Sequence, residues 1–194
     1  MIDCANELQL TLNISPQSIW PKLIKEQYNK NCRSNGFTFF YNHMAGKDYE
    51  TSLDLIDSHD PVIFILERKN ILDQYLSTVL SNNSEIWVIN KKSPLSYCDK
   101  YNTATYLKFK DFKYYAAGAY HWRAKIYKRY KDAKLLWYED LDIGSVVEAL
   151  GLPPEKHTDH TFKMRTKSKK ELIKNFDEFE KLLKGTEDEW MLDN

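Results

Sequence analysis

Arg68, Lys69 and Ser77 are the residues whose types and spacing point most directly to chemistry. The apolar run Val62-Ile-Phe-Ile-Leu66 gives way to a basic pair, and the chain continues in a helical pattern that carries Ser77. A parallel strand delivers its polar residues at its carboxyl end, which is where open α/β sheets bind ligands. A cation there and a hydroxyl two helical turns further on grip a phosphate from two sides, so the segment reads as a nucleotide-phosphate site. Strand, charged turn and helix is also the ordinary grammar of any α/β protein, and a plain structural turn is the alternative for the segment taken alone.

The elements that position these residues follow from pattern. Ser15-Pro16 reads as a cap and first helical position, opening a helix to about Cys32 with Ile19, Leu23 and Ile24 inward. Asn35-Gly36 breaks it, and residues 37–41 form a β-rich run. A short amphipathic helix is expected over 49–58, then a strand over 61–67 and a helix over about 70–82. Residues 83–110 are ambiguous, with Trp87-Val-Ile89 a short strand or a packed loop. Phe112, Tyr115, Ala116, Ala119, Trp122, Ile126 and Tyr130 form one stripe of a long helix over about 111–131. Lys113, Arg123, Lys128 and Arg129 lie mainly outside that stripe and read as a solvated basic face. A third strand is expected over 133–138. Asp142 then caps a short helix that Gly151 stops. A basic loop covers 155–168, and a last helix over about 168–184 has Leu172, Ile173, Phe176, Phe179, Leu182 and Leu183 inward. Strands alternating with helices predict an α/β fold: a parallel sheet with helices on both faces.

Composition bounds the function. A chain of 194 residues, 42% hydrophobic and 14% aromatic, fits one domain with a real core over residues 1–194. The formal net charge of +0 argues against a protein that coats nucleic acid. Charge is nevertheless uneven: 113–134 and 163–170 are basic and 171–194 leans acidic, which suits a small anionic ligand better than a polyanion. Cys4, Cys32 and Cys98 lack metal-ligand spacing, and no metal is expected; an odd count of free thiols fits a reducing, cytoplasmic setting. No signal peptide and no membrane span is read from the apolar pattern.

In this order and spacing the motifs resemble the PAPS-dependent sulfotransferases (PAPS is 3′-phosphoadenosine 5′-phosphosulfate), in particular the bacterial branch acting on lipopolysaccharide, Nod factor and glycolipids. Four features carry the resemblance, from about Gly36 to Trp190. They are Phe37 to His43; Ile65-Leu-Glu-Arg-Lys-Asn-Ile-Leu-Asp-Gln-Tyr-Leu-Ser77; Leu136-Trp-Tyr-Glu-Asp-Leu141 with Leu150-Gly-Leu152; and Lys163-Met-Arg-Thr166 leading to Ile173-Lys-Asn175 and Leu183-Lys-Gly-Thr186. The resemblance implies a three-layer domain, a central parallel sheet flanked by helices as in P-loop NTPases, shortened at the N-terminus. It implies PAPS as sulfate donor and a hydroxyl of a carbohydrate or glycolipid as acceptor.

In that family an Arg at the strand end and a Ser eight residues later bind the nucleotide's 3′-phosphate. Counting back eight from Ser77 gives Lys69, with Arg68 beside it. Lys pairs with phosphate as a point charge but lacks the bidentate guanidinium, which Arg68 supplies if the turn allows. His43, after the run Phe39-Phe-Tyr-Asn, resembles the family's catalytic base, and imidazole suits proton removal near neutral pH. Tyr41 stands where the family usually has Lys. Arg165, in the loop resembling the one that closes over the nucleotide, is the candidate second phosphate contact, with a solvated charge run as its alternative. The Tyr138-Glu-Asp-Leu141 box reads as structural, its carboxylates fixing turns at the sheet edge.

The departure is at the front. The family's first strand leads into a loop rich in Gly, Ser, Thr, Arg or Lys that wraps the 5′-phosphosulfate with backbone N–H groups. Residues 1–14 hold no Gly, Lys or Arg, and the first glycine is Gly36. That leaves three readings: the half-site is absent, another chain (a partner or a second copy) supplies it, or the fold is shortened and the activity lost. The alternative function is therefore a catalytically inactive sulfotransferase-like binding or assembly module. A kinase relative is disfavoured by the lack of any Gly-x-x-x-x-Gly-Lys sequence.

Overall fold

A computed structural model describes residues 49–89, 93–94, 96–152 and 164–193. The expected helix over 15–32, the strand over 37–41 and His43 lie outside the described residues.

The described chain mixes helix and strand. In order the elements are α1 (Tyr49–Asp57), β1 (Phe64–Glu67), α2 (Ile71–Ser84), α3 (Ser96–Tyr101), α4 (Phe109–Arg129), β2 (Lys134–Trp137), a 3-10 turn (Tyr138–Asp140), α5 (Ile143–Ala149), α6 (Lys169–Leu172), α7 (Phe176–Leu183) and a final 3-10 turn (Glu189–Leu192). The strands β1 and β2 pair in parallel as a two-stranded sheet. Among the described residues no helix is long and apolar enough to cross a membrane.

These residues divide into two compact units. One comprises 49–64, 132–134 and 142–152. Within it Leu53 and Ile56 are the buried face of α1, and Val147 is buried on α5. Asp142 caps α5, its carboxylate accepting from the backbone N–H groups of Gly144 and Ser145 at 3.0 and 3.1 Å. β1 begins later than expected, at Phe64: Asp60 is left-handed with φ 46°, Pro61 has no N–H to donate, and Val62 is exposed.

The other unit comprises the described residues of 65–131, 135–141 and 164–193. Its core joins Ile71, Leu72, Tyr75, Leu76 and Leu80 of α2 to Phe112 of α4, Leu172 of α6, Phe179 and Leu183 of α7, and Met191. The rings of Tyr75, Phe109, Phe112 and Phe179 meet at centroid distances of 5.3 to 5.9 Å in tilted and edge-on arrangements, the geometries aromatic quadrupoles favour. The first half of the predicted stripe of α4 faces this core, with Phe112 buried and Tyr115, Ala116 and Ala119 packed against it, while Ile126 is buried outside this cluster.

The last helix is interrupted where the sequence pattern predicts continuity. The chain extends at Ile173, which bridges in parallel to Thr105. Thr105 N–H donates to the Leu172 carbonyl and Lys174 N–H to the Thr105 carbonyl, both at 2.8 Å. The Asn175 side chain then takes both polar groups of Leu107, accepting from its N–H at 3.0 Å and donating to its carbonyl at 2.8 Å. Ile173 therefore joins the core from an extended bridge rather than from a helix face. Leu182, expected inward, is exposed on α7.

Candidate anion site at the end of strand β1

The strand-to-helix junction is built around Asn70. This buried side chain caps α2, its carbonyl oxygen accepting from Asp73 N–H at 3.0 Å, while its amide donates to the Met191 carbonyl at 3.0 Å. The cap fixes where the helix begins, and therefore where Arg68 and Lys69 stand relative to Ser77.

Arg68 turns toward the helix. Its Nη1 donates to Ser77 Oγ across a long contact of 3.4 Å. Its guanidinium carbon lies 4.2 Å from the centroid of the Tyr138 ring, within the range of a cation–π contact. Thr78 Oγ1 sits 3.4 Å from the Tyr115 hydroxyl. Burial pushes the Tyr115 hydroxyl up, while the Thr78 hydrogen bond and the Arg68 charge act the other way. One guanidinium and the Ser77 hydroxyl thus converge beside an aromatic face, nine residues apart in sequence rather than eight.

Lys69 takes a different course. Its ammonium pairs with the Asp140 carboxylate, and its backbone N–H donates to Glu139 Oε2 at 3.0 Å. The acidic pair after β2 thereby holds the turn after β1, the turn-fixing role expected of that box. Of the two neighbouring cations, Arg68 meets Ser77 and Lys69 meets the carboxylates.

Arg165 belongs to a separate network. Its Nη1 meets Asp73 Oδ1 at 2.5 Å, and Lys169 Nζ approaches the same oxygen at 3.3 Å. Lys169, with 0% of its side chain exposed, also donates to the Asp193 carbonyl. Burial works to raise the Asp73 carboxyl, but Arg165 and Lys169 together outweigh it and hold the group below its ordinary range. Burial lowers the Lys169 ammonium, with Asp73 opposing. The loop before α6 is pinned by Asn102, which donates to the Met164 carbonyl at 2.9 Å and accepts from Thr166 N–H at 3.0 Å.

Sequence reasoning missed Glu67, Asp73, Arg123 and Lys169. Glu67 is buried at the end of β1 and paired with Arg123 at 3.1 Å. A lone carboxylate closing an apolar strand was the available signal. Arg123, placed on a solvated face by periodicity, is only 17% exposed. Burial raises the Glu67 carboxyl, and Arg123 offsets this only in part.

Among the described residues no group of three His, Cys, Asp or Glu side chains is placed to hold a metal ion. No protein-family model, curated protein or solved structure matches the chain.

Proposed function

We propose that the chain is a PAPS-dependent sulfotransferase, built on a three-layer α/β domain, that moves a sulfuryl group to a hydroxyl of a carbohydrate or glycolipid. The observation that carries this reading is the convergence of the Arg68 guanidinium on Ser77 at the strand-to-helix turn. A guanidinium offers five N–H donors in a planar array and Ser offers one O–H, so a 3′-phosphate placed between them accepts charge-assisted bonds from both. Lys69 adds a mobile charge: its pair with Asp140 is exposed, 45% on the Lys side, and pairs of that kind contribute only ~0.2–1 kcal/mol. In this reading Arg165 is a second nucleotide contact, through guanidinium N–H donors that its Nη1 bond to Asp73 does not use.

In the reaction the acceptor oxygen bonds to sulfur as the bond from sulfur to the 5′-phosphate oxygen breaks. His43 takes the acceptor's hydroxyl proton, and 3′,5′-adenosine diphosphate leaves. Charge accumulates on the departing phosphate, where stabilisation has the largest effect on rate. Residues 1–14 carry no Gly, Lys or Arg for that role.

A second reading, a sulfotransferase-like binding module without turnover, is favoured by a specific observation: Lys69 and Arg165 are each already engaged by a carboxylate of this chain. Calorimetry with 3′,5′-adenosine diphosphate, followed by transfer of labelled sulfate from PAPS to glycolipid acceptors, separates the two. Binding with transfer is expected of the enzyme and binding without transfer of the module. No heat at millimolar ligand removes the nucleotide site.

A further inference from the structure

The peptide that joins Arg68 to Lys69 is held at both of its polar ends by side chains from elsewhere in the fold. Its carbonyl, that of Arg68, accepts from Arg123 Nη2 of α4 at 3.1 Å. Its N–H, that of Lys69, donates to Glu139 Oε2 of the turn after β2 at 3.0 Å. β1 ends at Glu67, so these two side chains take over where the ladder stops.

Arg123 is itself anchored. Its Nε and Nη2 both donate to Glu67 Oε2, at 3.3 and 3.1 Å, and the Glu67 side chain is only 3% exposed. The other carboxylate oxygen of Glu67 is buried with no hydrogen-bond partner among the described residues. A buried ion pair with an orphan oxygen is a poor source of stability, because desolvating two charges offsets their attraction, and an apolar pair of similar volume does as well or better. What the pair provides is direction. With both ends of one peptide plane clamped, the dihedral angles on either side of it are restrained, and the Arg68 side chain leaves the strand toward Ser77 and Tyr138.

We infer that Arg123, seated on Glu67, and Glu139 are positioning residues that clamp the 68–69 peptide and aim Arg68 at the anion. The inference rests on the proposed anion-binding role of Arg68, and it separates orientation from charge. Glu139 is a carboxylate beside a site for an anion. By Coulomb repulsion alone its removal strengthens anion binding; as a clamp its removal weakens binding.

The experiment is a titration of the full chain with 3′,5′-adenosine diphosphate, with a thermal melt of each variant. Glu139→Ala is expected to lower affinity about tenfold, the scale of weakening one hydrogen bond between Arg68 and a charged ligand. Glu139→Gln, which keeps an acceptor oxygen for Lys69 N–H, is expected to restore wild-type affinity or exceed it. The double variant E67M/R123M is expected to stay folded, because an apolar pair replaces the buried ion pair, and to bind about tenfold more weakly. Unchanged or stronger binding in Glu139→Ala, or wild-type affinity in a folded E67M/R123M, overturns the clamp while leaving the proposed function standing. Should E67M/R123M fail to fold, the Glu139 pair decides alone. No binding by the wild type overturns the proposed function and the clamp with it.

Discussion

At the scale of single residues, the buried Glu67 and the half-buried Asp73 at one strand-to-helix junction respond to pH in opposite senses. Asp73 is held below its ordinary value of 3.8, so the unfolded chain takes up its proton before the folded chain does. Its stabilisation is complete above that value and is lost as pH falls through the depressed one. Glu67 is raised above its ordinary 4.5, so its contribution is present below that value and is lost as pH rises through the raised one. Denaturant melts across the acid range check both. The difference between wild type and Asp73→Asn should grow with rising pH over the lower part of the range. The difference between wild type and Glu67→Gln should shrink with rising pH over the upper part. Parallel curves would contradict the assigned environments. Ser77→Ala removes a single hydroxyl from the proposed anion site and should weaken 3′,5′-adenosine diphosphate about tenfold, the size of a hydrogen bond to a charged group at ~1.5–3 kcal/mol. An unchanged titration would place Ser77 on an ordinary helix surface.

At the scale of elements, side chains rather than helix propensity decide where the last two helices end and begin. Asn175 clasps both polar groups of Leu107 beside the Thr105–Ile173 bridge. Asn175→Ala should therefore cost about 2 kcal/mol in urea melts, two hydrogen bonds at ~1 kcal/mol each, with faster amide exchange at Leu107. A cost near zero would mean that the bridge alone holds the break. Lys169→Met leaves Asp73 with Arg165 alone and the Asp193 carbonyl without its donor. It should destabilise by about 1–2 kcal/mol, the scale of leaving one buried carbonyl unsatisfied while Asp73 keeps Arg165.

The same elements show what the sequence could reveal. α1, α2, α4, β2 and α5 were legible because a cap or an apolar period marks each within one segment. Asp142 announced α5, and the spacing from Phe112 to Ile126 announced α4. The split between α6 and α7 was not legible, because Leu172, Ile173, Phe176, Phe179 and Leu183 satisfy a helical period whether or not the helix is continuous. What breaks it is a pairing with Thr105 and Leu107, far away in sequence. α3 is six residues long, too short to carry a period. In the site, the relation of a basic strand end to Ser77 was legible from spacing. The choice between Arg68 and Lys69 was not, because it depends on Glu139 and Asp140 arriving from the end of β2.

At the scale of the whole molecule, the described chain is a mixed helix-and-strand protein with a parallel strand pair, of which β1 delivers Arg68 and Lys69 at its carboxyl end and β2 delivers Glu139 and Asp140. The proposed sulfotransferase reading asks one thing of that architecture, that the strand-to-helix turn recognise a phosphate on the 3′ position of a nucleotide. Two ligands isolate that requirement: 3′,5′-adenosine diphosphate and adenosine 5′-monophosphate, which differ only in the 3′-phosphate. Titrated into the wild-type chain and into Arg68→Ala, they should differ at least tenfold in affinity for the wild type, in favour of the diphosphate, and by little for the variant, because a charge-assisted bond to phosphate contributes ~1.5–3 kcal/mol. Equal affinities for the two nucleotides in the wild type, or a preference that survives the loss of Arg68, would contradict a 3′-phosphate site at this turn.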